Sequence, residues 1–203
     1  MAAAARAAAD ASDAREAVRR IANLDPLGSS LVSEEEAASL FGALLPLAAW
    51  PRRRLVITAT DTNSGVRVAF DADFGVTLSD AVRASCAVPG VFSSALIDAG
   101  RYADGGLRSP YNADLAAGAR IVIVLSPLRP NPFLHGLLDG ELASLRDATV
   151  RVVMADEASL SAIGPDLLST RTTGAALDAG RSQAAQESDG LRSIWQADER
   201  QSG

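Results

Sequence analysis

Leu55-Val-Ile-Thr-Ala-Thr60 is followed by Asp61-Thr-Asn-Ser-Gly65 and then by Val66-Arg-Val-Ala-Phe70. The first run is apolar and β-branched, as a strand buried on both sides is. The third alternates apolar and polar residues, as a half-buried strand does. The segment between them is turn chemistry, with Asp61 and Asn63 as turn residues, so the three together predict a hairpin. Two more buried-type runs lie downstream, Ile121–Leu125 and Val150–Ala155. A short strand is expected near Ala95–Ile97 and another near Arg101–Ala103.

Helical signals fill the intervals. Alanine-rich residues 2–22 read as helix. Ser33 followed by Glu36 is a capping box that opens a helix over 34–45. Thr77 or Ser79 caps a helix that runs through Ser85, and Pro89-Gly90 follows its end. Asn112 opens a short helix ending at Gly118. Further helices are expected over 136–148 and about 172–196. Strands alternating with helices, several of them fully apolar, predict an α/β sheet covered on both faces. No repeat or linker divides the chain. The expected organisation is one domain, with a helical N-terminal segment over 1–51 and the α/β part over 52–203.

Composition narrows the chemistry. The 203 residues carry 19 basic and 25 acidic side chains, a net charge of −6. An acidic chain without a basic run does not suit a nucleic-acid partner held by counterion release. Every base is arginine, so lysine-dependent mechanisms are excluded. The one cysteine, Cys86, excludes an internal disulfide, and the one histidine, His135, excludes two-histidine metal motifs. No metal and no cofactor is expected. No apolar run reaches the ~20 residues of a spanning helix, and the charged N-terminus fits no targeting signal, so a cytoplasmic location is expected.

The chemically informative run is Ala84-Ser-Cys-Ala-Val-Pro-Gly-Val-Phe92, then Tyr102-Ala-Asp-Gly-Gly106, then Asn112. An aspartate that ends a strand and precedes two glycines projects where sites form in open α/β sheets. The glycines remove side-chain bulk and permit positive φ.

This combination resembles the second half of a patatin-like phospholipase domain, over roughly residues 52–196. The resemblance implies an incomplete three-layer α/β/α sheet with helices on both faces. It also implies hydrolysis of lipid or other acyl esters by a serine–aspartate dyad. Asp104 is then the base, Gly105 and Gly106 complete its motif, and Asn112 supports its loop. Lipid or another acyl ester is the expected partner, with room for transient membrane-surface contact and for self-association.

The sequence departs from that family in one respect. Gly-x-Ser-x-Gly is absent, and so is the glycine-rich oxyanion loop. The nearest strings, Gly28-Ser-Ser-Leu31 and Gly180-Arg-Ser-Gln-Ala184, do not follow a buried strand. The expectation is a chain with the aspartate of the dyad and without its nucleophile, inactive alone. Two origins stay open, a truncated or mis-started product of a complete enzyme and a degenerate relative that binds without cutting. Without the elbow strand, marginal stability or self-association is expected. A nucleotide-binding domain has no support, since no Gly-x-Gly-x-x-Gly follows a strand and no P-loop occurs.

The remaining residues read structurally. Cys86 is expected as a small buried residue of a helix, and His135 as a member of a proline-rich loop. Arg52-Arg53-Arg54 is expected as a solvated cluster and Asn112 as a helix cap. Ile194 and Trp195 are expected to anchor the last helix to the core.

Overall fold

The computed structural model describes residues 8–9, 11–24, 30–45, 49–128, 132–166 and 170–201. The expected helix over 2–7 and the string at Gly28 lie outside them. The architecture is mixed α/β, in two compact units, Met1–Pro110 and Tyr111–Gly203.

The hairpin organises the first unit. Strand β1 (Ile57–Asp61) pairs antiparallel with β2 (Arg67–Phe70), in a register that sets Ile57 against Phe70 and Thr60 against Arg67. The Asp61 carboxylate closes the turn by accepting from the backbone N–H and the hydroxyl of Ser64, both at 2.7 Å. β1 also pairs antiparallel with β4 (Gly100–Asp104), and β4 pairs with β3 (Ala95–Ile97). The sheet order is β2-β1-β4-β3. Adjacent strand residues point to opposite faces. Ala59 and Thr60 are both fully buried, so both faces of β1 are covered there.

Helix α1 (Ala14–Ala22) opens on an Asp13 cap and joins the hairpin end through Asn23, which donates to the Thr62 carbonyl at 2.6 Å. Helix α2 (Glu34–Leu44) has the expected capping box of Ser33 and Glu36. Helix α3 (Leu78–Ser85) is capped by Thr77, whose hydroxyl accepts from the Asp80 N–H. Its alanines reach the sheet: Ala81 and Ala84 are fully buried and form a core with Ala59, Phe70, Ala95 and Ile97. Phe70 meets Phe74 and Tyr102 edge-on, with centroids 4.7 and 5.2 Å apart.

A buried guanidinium ties the edge of this sheet to two helices. Arg83 of α3 pairs with Asp80 at 2.9 Å and with Glu34 of α2 at 3.3 Å, and it donates to the Leu96 carbonyl at 3.1 Å. Glu34 accepts from the Leu96 N–H at 2.6 Å. Edge strand β3 therefore has both polar groups of its middle residue occupied by side chains.

The second unit holds a βαβ arrangement. Strands β5 (Ile121–Ser126) and β6 (Thr149–Met154) are parallel, in a register from Ile121 against Thr149 to Ser126 against Met154. Helix α4 (Pro132–Leu142) falls between them. Parallel neighbours need such a crossover. Val122 and Val124 pack with Leu138, Leu145 and Ala113, while Leu125 on the other face is exposed. Buried Glu141 accepts from the Ala113 N–H at 2.7 Å. Helix α5 (Glu157–Ile163) precedes the 29-residue helix α6 (Thr173–Gln201). Gln183 of α6 donates to the Met154 carbonyl and accepts from the Asp156 N–H and the Ser159 hydroxyl.

Three local expectations are corrected. Helix α4 begins four residues before the expected 136 and ends at Leu142. Proline is tolerated at a first helical position, where no intrahelical N–H bond is needed. His135 therefore lies in a helix and not in a loop. Trp195 is 56% exposed, so it is not the anchor expected for the last helix. Arg151 with Glu187 at 2.6 Å, and the Gln183 bonds, hold that helix instead.

Arg83→Ala would leave Glu34 and the Leu96 carbonyl without their shared cation. We expect a loss of about 2–3 kcal/mol, below the range for fully buried pairs because Glu34 and Asp80 keep solvent contact. Chemical denaturation measures it.

Candidate active site

Asp104 is the last residue of β4, opposite Ala59 of central strand β1. Its backbone is held at both ends. The Asp104 N–H donates to the Ala87 carbonyl at 3.0 Å. The hydroxyl of fully buried Thr60 donates to the Asp104 carbonyl at 2.9 Å. Ala87 belongs to the segment Ala84-Ser-Cys-Ala-Val-Pro89, where α3 ends and the chain turns. That motif thus bears directly on the aspartate, because its turn presents the carbonyl that fixes the end of β4.

The two glycines act through space. A Cβ on buried Gly105 would stand 2.2 Å from the Thr58 carbonyl oxygen and 2.5 Å from the Thr58 hydroxyl. The chain after Asp104 lies directly against β1, and only a residue without a side chain fits. A Cβ on Gly106 would come within 2.9 Å of the Asp104 Oδ1. Without it, the Gly106 N–H approaches and donates to Oδ1 at 2.7 Å. Neither glycine has positive φ, so the expected conformational reason is replaced by a steric one.

The carboxylate is half-buried, and burial raises its pKa above the ordinary aspartate value, with the Gly106 N–H opposing the rise. Among the described residues no arginine forms an ion pair with it. Oδ1 has the Gly106 bond, and Oδ2 has no hydrogen-bond partner among them. A carboxylate that is desolvated, immobile and not neutralised by a cation is suited to taking a proton. Cys86 caps the end of α3 and is half-buried; burial first, and the Asp104 charge second, push its thiol up. The thiol form is therefore favoured, which does not suit a nucleophile.

The structure brings Asp104, Gly105 and Gly106 together in the first unit. Asn112 belongs to the second unit, with φ of +50° and no capping bond from its side chain. It precedes a short helix as expected but does not cap it. Arg52, Arg53 and Arg54 are exposed. Thr60 and Ala87 escaped the sequence reading. The signal for Thr60 was present, a hydroxyl inside an apolar strand, which must find a partner when buried.

The four-stranded antiparallel sheet, within a mixed α/β architecture, ends one of its inner strands on a half-buried carboxylate. A model of the patatin-like phospholipase family matches residues 4–117, more than half of the chain, and the chain belongs to that family. The match takes in the helices before residue 52, which the sequence reading left outside the resemblance, and stops before β5. No curated protein matches the chain. The family is one of lipid acyl hydrolases. Among the described residues no helix is long and apolar enough to cross a membrane.

Two outcomes test this geometry. A carboxyl whose pKa is raised by folding binds its proton more tightly in the folded state. Its ionisation then lowers stability as pH rises from the ordinary carboxyl value through the folded value. Asp104→Asn should therefore unfold at a higher temperature than the parent at pH 7, with the gain shrinking as the pH is lowered into the carboxylate range. Gly105→Ala should destabilise by about 2–3 kcal/mol, the scale of overpacking against backbone, as measured in urea.

Proposed function

We propose that this chain carries the general base of a serine acyl-ester hydrolase of the phospholipase or esterase type, with Asp104 in that role and lipid or another acyl ester as substrate. The observation that carries the proposal is the half-buried Asp104 carboxylate, fixed by Ala87, Thr60 and Gly106 and paired with no cation among the described residues. In the reaction a serine hydroxyl gives its proton to Asp104 while its Oγ attacks the ester carbonyl. The proton passes to the departing alcohol, and water then releases the acyl group by the same route in reverse. The reaction takes place in the cytoplasm, with transient contact at a membrane surface.

The nucleophile is missing from this sequence in its Gly-x-Ser-x-Gly setting, so the 203 residues are inactive on their own. That same absence favours a second reading, a non-catalytic α/β module that keeps the fold and binds.

The first assay uses p-nitrophenyl butyrate and a fluorophosphonate probe on the chain itself, and it should give neither turnover nor a labelled serine. Turnover lost in Asp104→Asn would contradict the missing nucleophile. The second assay fuses ahead of Met1 the strand and Gly-x-Ser-x-Gly elbow of an active patatin-like enzyme. Turnover should appear and fall at least 100-fold in Asp104→Asn, the scale of a general base. Turnover that survives Asp104→Asn would remove Asp104 from the role, and no turnover in a folded fusion would favour the binding module.

A further inference from the structure

A cavity of about 420 Å³ lies where α1 crosses the end of the hairpin, lined by Ala14, Arg15, Val18, Gly65, Val66, Arg67 and Arg108. All of these belong to the first unit. The space is large enough for a small-molecule ligand. Its chemistry is sharply divided. Ala14, Val18 and Val66 give it an apolar wall, and three guanidiniums stand on it without a carboxylate among the lining residues. The charged residues of this lining are all basic, in a chain of net charge −6.

Two features build the cavity into the fold. Gly65 has φ of +67°, and a Cβ there would stand 2.6 Å from the Arg15 carbonyl oxygen, so the glycine lets α1 lie directly on the hairpin end. Arg15 is anchored by its Nε, which donates to the Ser64 carbonyl at 2.7 Å. Arg67 and Arg108 have protein partners of their own. A guanidinium carries five N–H donors in a planar fork, a shape that matches carboxylate and phosphate oxygens.

We propose that this cavity is a binding site for an amphiphilic anion, a carboxylate or phosphate monoester group held by Arg15, Arg67 and Arg108 with a short hydrocarbon chain against Val18 and Val66. The site is separate from the Asp104 assignment and does not depend on it.

Isothermal titration of the purified chain tests it with four probes below their micellar concentrations: octanoate, octyl phosphate, octanol and inorganic phosphate. Octanoate or octyl phosphate should bind at least tenfold more tightly than octanol and than inorganic phosphate. The tighter of the two identifies a fatty-acid group or a phosphate ester as the natural head. Added salt should weaken the anionic amphiphiles and leave octanol unchanged, which tests the charge term without any variant. The Arg67→Gln, Arg108→Gln double variant should lose the tenfold preference, and Lys at both positions should retain part of it. Asp104→Asn should leave binding unchanged, which separates this site from the proposed catalytic base. Equal affinity for octanol and the anions, salt-independent binding, or full affinity in a folded double Gln variant would overturn the proposal, as would inorganic phosphate binding as tightly as octyl phosphate.

Discussion

The backbone of Asp104 is clamped between two neighbours, and the first unit is arranged around that clamp. The Ala87 carbonyl takes its N–H and the Thr60 hydroxyl reaches its C=O. The clamp requires α3 to end where it does, since Ala87 lies just past the last turn of that helix. It requires a hydroxyl at Thr60 within an otherwise apolar strand. It also requires β4 to lie tightly beside β1 beyond its last paired residue, which is what Gly105 permits. The small side chains of Ala59, Ala81, Ala84 and Ala87 follow from the same demand, because a helix end can meet the sheet this closely only without bulk.

The clamp also explains the electrostatics. A mobile surface aspartate would be solvated and ordinary. Fixed at the strand end and half-buried, Asp104 loses part of its hydration, and the single N–H of Gly106 returns only part of it. Arg83 shows the opposite solution within the same unit. It too is buried, yet it is neutralised by Glu34 and Asp80 and serves to hold an edge strand. One buried charge is paired and structural, and the other has no ion-pair partner among the described residues where the chain turns. Burial without neutralisation lowers stability and is a mark of functional sites.

Much of this was legible in the sequence, for local reasons. The hairpin, the Ser33–Glu36 capping box, the Thr77 cap and the existence of the apolar strands β5 and β6 all rest on patterns that neighbouring residues decide. An aspartate before two glycines is by itself common turn chemistry, so the reading of Asp104 as a base came from its place in the longer Ala-Ser-x-Ala-x-Pro to Asp-Gly-Gly pattern. The reason for the glycines was not legible, since closeness to Thr58 is a long-range fact. The start of α4 was missed because Pro132 looks like a breaker when it stands at a first helical position. Trp195 was misplaced because an aromatic on a long helix carries no sign of which face is covered. The arginine-lined cavity could not be read at all, since Arg15, Arg67 and Arg108 meet only through the fold.

The burial of the Asp104 carboxylate, with no cation paired to it among the described residues, can be measured without any substrate. Carboxyl-carbon NMR of the chain, with the Asp104 signal assigned by its loss in Asp104→Asn, gives the titration of this one group. The midpoint should lie above the ordinary aspartate value of 3.8. A midpoint at or below that value would mean that a cation or full hydration stabilises the carboxylate, and Asp104 would then be a structural turn residue.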